Sequence, residues 1–486
     1  MPFFPGQQGA PTGLTDAQLV ACDAFLTWLG SRQDGLPFVL RGYAGTGKTF
    51  LSMRLLGMVE ERGLCWTTCA PTHKAVEVLR DYLRREGLRA SWYPATIHRL
   101  LRLKLRRIDG VEVCEETDQT AMALQNLDLV LVDEASMVDS KLLQVALQCA
   151  HPFGTRLVFV GDPAQLSPVG EASSPVFSLG RAVGASLTQV VRHGGPVLRL
   201  ATGLRQKTLP SSQPPQLDAI RQAEGSVAAL DRTAWLAQAQ QALRRAVELD
   251  HPDHARILCY TNRALDRLVP FARRAIHGEL ADQLPVLPGE VLITRSGVMA
   301  AACSEGALKG ENPDLVMGSN RELVVRDVAV EHCDLADVGL PDAPLIETYT
   351  VEVEADELQL KLRLLPPPGS APRHQLNEVL QQLKLQARKA GGASQKALWR
   401  RFYQVRDAFA SVGPAAVLTV HRSQGSTFGQ VFIEQDVFWP EDEAVRRQLL
   451  YVAVSRASEA VVLVGARATD RSHRDALASA LRCPVS

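Results

Sequence analysis

Residues 42–49, Gly-Tyr-Ala-Gly-Thr-Gly-Lys-Thr, fit the pattern G-x-x-x-x-G-K-[ST], and they constrain the fold more than any other stretch of the chain. Gly42, Gly45 and Gly47 allow backbone N–H groups, with those of Ala44 and Thr46, to turn inward on a phosphate chain without Cβ clashes. Lys48 is placed to reach the β- and γ-phosphates, and Thr49 offers a hydroxyl of the kind that ligates magnesium. The apolar run 37–40 predicts a buried strand entering the loop, and residues 50–61 predict a helix leaving it. That helix start aims its dipole and unpaired N–H groups at the phosphates. A Gly-rich surface loop would not be flanked in this way. The segment reads as an ATP and Mg2+ site.

The chain has 486 residues, enough for about three domains. Its apolar fraction of 46% and charged fraction of 22% fit globular cores, and no apolar run approaches the ~20 residues of a bilayer span. Residues 1–13, rich in Pro, Gly and Gln, read as a disordered lead-in and not as a signal peptide. The nine cysteines are scattered singly. Cys65, Cys69 and His73 are spaced four apart but lack a fourth ligand at zinc-finger spacing, so they read as structural thiols in a reducing compartment. With 53 basic and 53 acidic residues the formal charge is zero. A coat of positive charge is thereby excluded, whereas a local nucleic-acid channel is not.

Thr15 is a plausible N-cap for an amphipathic helix carrying Gln18, whose amide can bond both edges of an adenine. Strand 65–70 leads to Thr72, His73 and Lys74 at a helix start, and Thr96, Ile97 and His98 form a second such cluster. Hydroxyl and imidazole groups at helix starts suit backbone phosphates, although ordinary capping explains each cluster equally well. Residues 104–116 alternate about Asp109-Gly110, a two-residue hairpin signal, with Lys104, Arg106 and Arg107 facing Glu112, Glu115 and Glu116. The apolar strand 127–132 ends in Asp133-Glu134, where parallel sheets bind ligands. Asp133 can hold magnesium through water, and Glu134 can orient or deprotonate the attacking water. Gln165 follows strand 156–160 and can bridge a γ-phosphate to a distant ligand site. Residues 187–192 predict a strand ending in Arg192, and 207–232 an irregular linker.

A second α/β unit opens at 256–263 and resumes at 415–434 and 443–464. Between them, short strands at 290–293, 321–330, 348–353 and 358–365 predict a β-rich insertion. Residues 373–412 then carry eight Lys or Arg against two Asp or Glu, with Trp399, Phe402 and Tyr403 interleaved. A basic aromatic helix of this kind suits nucleic acid, and a solvated face packed on the insertion explains it as well.

In this order the stretches LTDAQ, GYAGTGKT, CAPTHKAVEVL, TIHRLL, LVDEASMVD, FVGDPAQLSPV, LTQVVRH, CYTNRALDRL, LTVHRSQGSTF and QLLYVAVSRA resemble the superfamily 1 (1B) DNA helicases of the RecD/Dda-like group. The short lead before LTDAQ is in keeping with the compact Dda type. The resemblance implies two RecA-like P-loop NTPase domains, an α/β fold: 14–190 as domain 1A with a pin hairpin at about 102–120, then 191–287 and 413–486 as domain 2A. Residues 288–412 would form an inserted SH3-like subdomain plus the basic helix. It implies an ATP-dependent DNA helicase moving 5′ to 3′ on single-stranded DNA, active as a monomer at single-strand/duplex junctions. It further implies contacts with single-strand-binding, replication or repair proteins, no membrane, and a bacterial or phage cytoplasm.

By position in those motifs, Gln18 would read adenine, and Gly425 would join the nucleotide site. Glu134 would be the base, Gln165 the γ-phosphate sensor, and Arg192 and Arg456 would approach that phosphate from the second domain. Thr72, His73, Thr96, His98, Asn262, Thr419 and His421 would line the DNA path, and Ile108, Asp109, Gly110 and Val111 would form the pin tip. The sequence departs from the family pattern in three places. No Phe, Trp or Tyr lies within 101–124, His193 follows Arg192, and Arg422 stands where several relatives carry Lys. Two alternatives stay open: a translocase that does not unwind, and an ATP-clamp subunit of a recombination or repair complex.

Overall fold

The computed structural model describes residues 13–465 apart from 32–34, 109–110, 169, 181, 190–194, 212–219, 223, 304–314, 339 and 356–357. The lead-in up to residue 12, the hairpin tip Asp109-Gly110, Arg192 and His193 thus lie outside the described residues. By internal contacts the chain forms two compact units, Met1–Trp235 with Ser423–Ser486, and Leu236–Arg422.

The first unit contains a six-stranded parallel sheet in the order Ala95–Thr96, Trp66–Ala70, Leu129–Val132, Arg156–Gly161, Phe38–Gly42, Val183–Leu187. Its inner strands are buried on both faces and therefore read as unbroken apolar runs. One face packs Phe25 and Trp28 of the helix Asp16–Gly30 and the helix Lys48–Glu60 over Leu40, Leu131 and Val160. Phe25, Trp28 and Phe38 form a triangle with ring centroids 5.4–5.6 Å apart. Each such pair adds about 0.5–1.5 kcal/mol beyond the area it buries. The opposite face packs the helix Ser140–Ala150 against Val130, Val132 and Phe159.

The edge strand corrects the sequence reading. It is Val183–Leu187, ahead of the strand expected over 187–192, whose residues 190–192 lie outside the described residues. A Cβ on Gly184 would lie 2.2 Å from the Val39 carbonyl oxygen, so only glycine lets this strand lie alongside Phe38–Gly42. The sequence V-G-A-S-L has no strong strand pattern, and its assignment depends on that close approach.

The same unit includes Phe428–Ile433, Ala457–Val464 and Gly225–Leu230 in parallel, with Ile220–Gln222 antiparallel at the edge. The last two strands fall within the irregular linker expected over 207–232, of which 212–219 and 223 lie outside the described residues. The register of Gly225–Leu230 against Ala457–Val464 is set by a partner more than 200 residues away, which no local pattern reveals. The helices Pro196–Arg205 and Glu443–Ser455 pack on one another here.

In the second unit Ala255–Cys259 pairs in parallel with Val417–Thr419, and the helix Asn262–His277 follows the first of these. A five-stranded antiparallel sheet runs Leu358–Arg363, Ile346–Ala355, Glu322–Cys333, Val291–Thr294, Val412–Pro414. The basic stretch is two helices, Ala371–Lys389 and Gly392–Asp407, and not one. The chain breaks at Ala390-Gly391, where both residues are extended, and Gly392 has φ +58°. Leu376, Leu383 and Val405 bury the inner face of this helical pair on Cys333, Leu335 and Ile346. Trp399 stacks on Tyr403 at 5.9 Å, and the Arg406 guanidinium lies 4.6 Å from the Tyr403 centroid.

The strands Lys104–Ile108 and Val111–Glu115 form the hairpin, with Lys104 opposite Glu115 and Arg107 opposite Glu112. This is the register that the opposed charges favour.

Candidate active site

Local backbone chemistry builds the phosphate loop. Gly45 and Gly47 have φ of +79° and +78°, and Gly47 is the N-cap of the helix Lys48–Glu60. A Cβ on Gly42 would come within 2.8 Å of both Lys48 Cγ and Thr46 Oγ1. Thr46 Oγ1 donates to the Tyr43 carbonyl at 2.8 Å, and Lys48 Nζ donates to the same oxygen at 3.2 Å. The loop is thus tied across its own mouth.

Gln18 is buried beside the loop. Its Nε2 donates to the Thr46 carbonyl at 3.3 Å, while its Oε1 accepts the Thr15 N–H at 3.1 Å in a capping box. Each amide atom keeps one hydrogen or one lone pair for a base edge.

Asp133 Oδ1 accepts the Glu134 N–H at 2.8 Å. Glu134 itself has φ +51°, a left-handed conformation that costs a non-glycine residue about 1–3 kcal/mol and clusters at functional positions. Burial, then the Glu134 carboxylate, pushes Asp133 up to about 7, against the pull of the Glu134 N–H and of Lys48. A carboxylate pair short of positive charge suits a divalent cation. Among the described residues no group of three or more His, Cys, Asp or Glu could hold a metal by itself. A cation here would therefore rest on Asp133, Thr49 and phosphate oxygens, as magnesium sites do.

The folded value of Asp133 lies above the ordinary carboxylate value of about 3.9. Its contribution to stability is fully present below that value and is lost as pH rises through about 7. Asp133→Asn is therefore expected to raise the thermal midpoint of the metal-free protein at pH 8. The rise should be at least about 2–4 °C, the shift that 1 kcal/mol gives in a domain of 150–250 residues. Scanning fluorimetry at pH 8 and pH 4 checks this, since the gain should vanish at the lower pH.

Three motif side chains carry buried polar atoms without a hydrogen-bond partner among the described residues: Ser136 Oγ, Gln165 Oε1 and Arg456 Nε. The remaining nitrogens of Arg456 donate to the Ser426 carbonyl at 3.2 Å and to Ser455 Oγ at 3.1 Å. Orphaned buried atoms are rare and call for a ligand or a rearrangement. Gly425 has φ +78°, and a Cβ there would sit 3.2 Å from Thr72 Oγ1.

Thr72 and Thr96 are N-caps, accepting the Ala75 and Arg99 N–H groups at 3.3 and 3.4 Å, so capping is part of what they do. His73 opens the helix His73–Glu86. Burial lowers the His98 pKa, leaving a neutral imidazole at pH 7. In the second unit Asn262 is exposed at a helix start behind the Thr261 cap, Thr419 ends a strand, and the His421 ring lies 6.1 Å from that of Tyr260. Desolvation lowers the His421 pKa as well. Cys69 is buried and Cys65 exposed.

The sequence reading missed three residues at the loop. The Tyr451 hydroxyl oxygen accepts the Ala44 N–H at 2.9 Å and donates to Asp162 Oδ2 at 2.5 Å. The Arg205 guanidinium lies 3.7 Å from the centroid of the Tyr43 ring. Tyr451 and Asp162 belong to motif stretches, yet a tyrosine inside an apolar helix reads as core.

Residues 14–248 match the AAA domain family, and residues 414–464 match the UvrD-like helicase C-terminal domain. A solved Pif1 helicase from Bacteroides, in complex with ADP-AlF3 and ssDNA, aligns over 96% of both chains with 14% identity and a TM-score of 0.46. The RecBCD enzyme subunit RecD of Mycobacterium tuberculosis is 27% identical over 476 residues, 91% of this chain and 70% of that one. The ATP-dependent DNA helicase dda of Enterobacteria phage T4 is 24% identical over 427 residues, which covers 86% of this chain and 92% of the phage protein. With an AAA domain match followed in order by a UvrD-like helicase C-terminal match, the chain is a homologue of the Dda and RecD helicases, which it resembles over most of its length.

Proposed function

We propose that the protein uses ATP to move along single-stranded DNA, 5′ to 3′, and to separate the duplex ahead of it. The observation that carries this reading is the hydrogen bond between Ala44 and the Tyr451 hydroxyl, partners 407 residues apart in the chain. It supports a triphosphate grasped at one end by the first RecA-like sequence and at the other by the helix that runs into Arg456.

In this reading Gln18 reads adenine, and the N–H groups of residues 44–49 cradle the phosphates together with Lys48. Thr49 and Asp133 would hold magnesium, which would supply charge neutralisation for the phosphates. Glu134 takes the proton of the attacking water, and Gln165 and Gly425 lie beside the γ-phosphate. Arg192 and Arg456 stabilise its charge, a contribution worth roughly 10³–10⁵ in rate. The orphaned Gln165 Oε1 and Arg456 Nε support these last roles, because both atoms lack a partner until something enters. Thr72, His73, Thr96, His98, Asn262, Thr419 and His421 hold the strand.

Loss of the γ-phosphate removes the negative partner of the arginines and relaxes the grip, which ratchets the protein along its strand. Separating a base pair costs about 1.4 kcal/mol, and stacking of a base on protein returns about 1–3 kcal/mol. A hairpin that meets the fork during directional motion therefore suffices. Replacing residues 104–116 by a short Gly-Ser turn is expected to spare DNA-stimulated ATPase and to remove unwinding, as read by strand displacement. Wild-type displacement by that variant would exclude the hairpin as the pin. Displacement compared on 5′- and 3′-tailed duplexes tests the polarity, and none on either substrate leaves the non-unwinding translocase.

No described helix is long and apolar enough to cross a membrane. The resemblance to phage and bacterial helicases supports work in the cytoplasm, as a monomer among single-strand-binding and repair proteins.

A further inference from the structure

The corner of the phosphate loop at Tyr43 and Ala44 is gripped from outside at two points. Arg205, in the last turn of Pro196–Arg205, covers the Tyr43 ring at 3.7 Å. Tyr451, on Glu443–Ser455, takes the Ala44 N–H and gives its own proton to Asp162. Tyr451 is 2% exposed and Asp162 0%. The second oxygen of Asp162 accepts the Ala164 N–H at 2.9 Å, and its carbonyl accepts the Gln165 N–H at 3.1 Å, so the carboxylate is fixed within the turn that presents Gln165. One hydroxyl thus joins the phosphate loop, the Gln165 turn and the helix that ends at Arg456.

We propose that Tyr451 is a positioning residue for ATP hydrolysis: its hydroxyl bridge sets the register of Gln165 and Arg456 against the phosphate loop. The inference rests on the hydrolytic reading of the site given above. The bridge needs a group that accepts from an N–H and donates to a carboxylate at the same time. A hydroxyl does both, and phenylalanine does neither. Burial, reinforced by the Asp162 carboxylate, pushes the Tyr451 pKa far upward, so the proton stays in place over the whole working pH range. Because the bridge acts on alignment and not on the groups that hold ATP, its loss should fall on kcat. A misplacement of about 1 Å can cost on the order of 10²-fold in rate.

The test uses the full chain with saturating single-stranded DNA. Tyr451→Phe is expected to keep the affinity for a fluorescent ATP analogue within about threefold while kcat falls ~10–100-fold. Asp162→Ala should show the same split, and the double variant should be no slower than either single one, because both remove one bridge. Asp162→Asn keeps one acceptor oxygen, which serves the tyrosine hydroxyl with the amide nitrogen turned to the Ala164 N–H, and should recover part of the rate that Asp162→Ala loses. Wild-type kcat in Tyr451→Phe, or multiplicative losses in the double variant, would overturn the proposal. If Tyr451→Phe does not fold, the comparison of Asp162→Asn with Asp162→Ala decides, and equal loss in both overturns it. A wild-type protein without DNA-stimulated ATPase would instead sink the hydrolytic reading. A hydrolysing wild type with an indifferent Tyr451→Phe sinks this inference alone.

Discussion

Lys48→Ala is expected to abolish ATP turnover, with kcat reduced by at least about 10³-fold. The ammonium has two separate effects at the site. It donates across the loop mouth to the Tyr43 carbonyl, and its charge pulls the Asp133 pKa downward against burial. With Lys48 gone, the Asp133 carboxylate loses a favourable charge and is protonated over more of the neutral range, so the pair offers a cation less negative charge. Nucleotide affinity should fall together with kcat, because the lost contact is made in the ground state as well as in the transition state. The surrounding fold should survive, since Thr46 Oγ1 closes the loop onto the same carbonyl. Phosphate release at saturating Mg-ATP and single-stranded DNA is the measurement, and a variant that kept a tenth of the wild-type rate would remove Lys48 from the mechanism.

Glu134→Gln should divide binding from chemistry. The substitution keeps the size of the side chain and leaves the N–H held by Asp133 Oδ1 untouched. It removes only the capacity to take a proton, which is worth about 10²–10⁴ in rate. ATP and single-stranded DNA should both bind nearly as in the wild type while hydrolysis falls by that factor. Filter binding beside a single-turnover hydrolysis assay separates the two, and full hydrolysis by the amide would eliminate Glu134 as the base. The left-handed backbone of Glu134 adds a structural argument for its role. A glutamate held at φ +51° is strained, and a merely solvated residue at a loop start would relax into the ordinary region.

Much of the nucleotide side was legible in the sequence because its determinants are local. Gly45 and Gly47 must adopt positive φ, an apolar run must enter the loop, and the Asp-Glu pair must follow a strand buried on both faces. The hairpin was legible for the same reason, since opposite charges across two paired strands specify one register. Legibility failed where pairing was remote or the sequence pattern weak. Gly225–Leu230 takes its strand identity from Ala457–Val464, and Val183–Leu187 from a close approach to Val39 that only Gly184 permits. The basic stretch was read as one helix because its charge pattern is continuous, whereas the break at Ala390-Gly391 is set by backbone conformation.

By itself the sequence pointed to a nucleoside triphosphate and to the side chains proposed to approach its phosphates, because a phosphate loop is a short-range device written in glycine, lysine and threonine. Only the tertiary structure decided that a tyrosine more than four hundred residues downstream joins that loop to the Gln165 turn. Hydrogen bonds between partners so far apart leave no periodicity or spacing to read. They exist once packing brings a buried hydroxyl between an amide and a carboxylate that must both be satisfied.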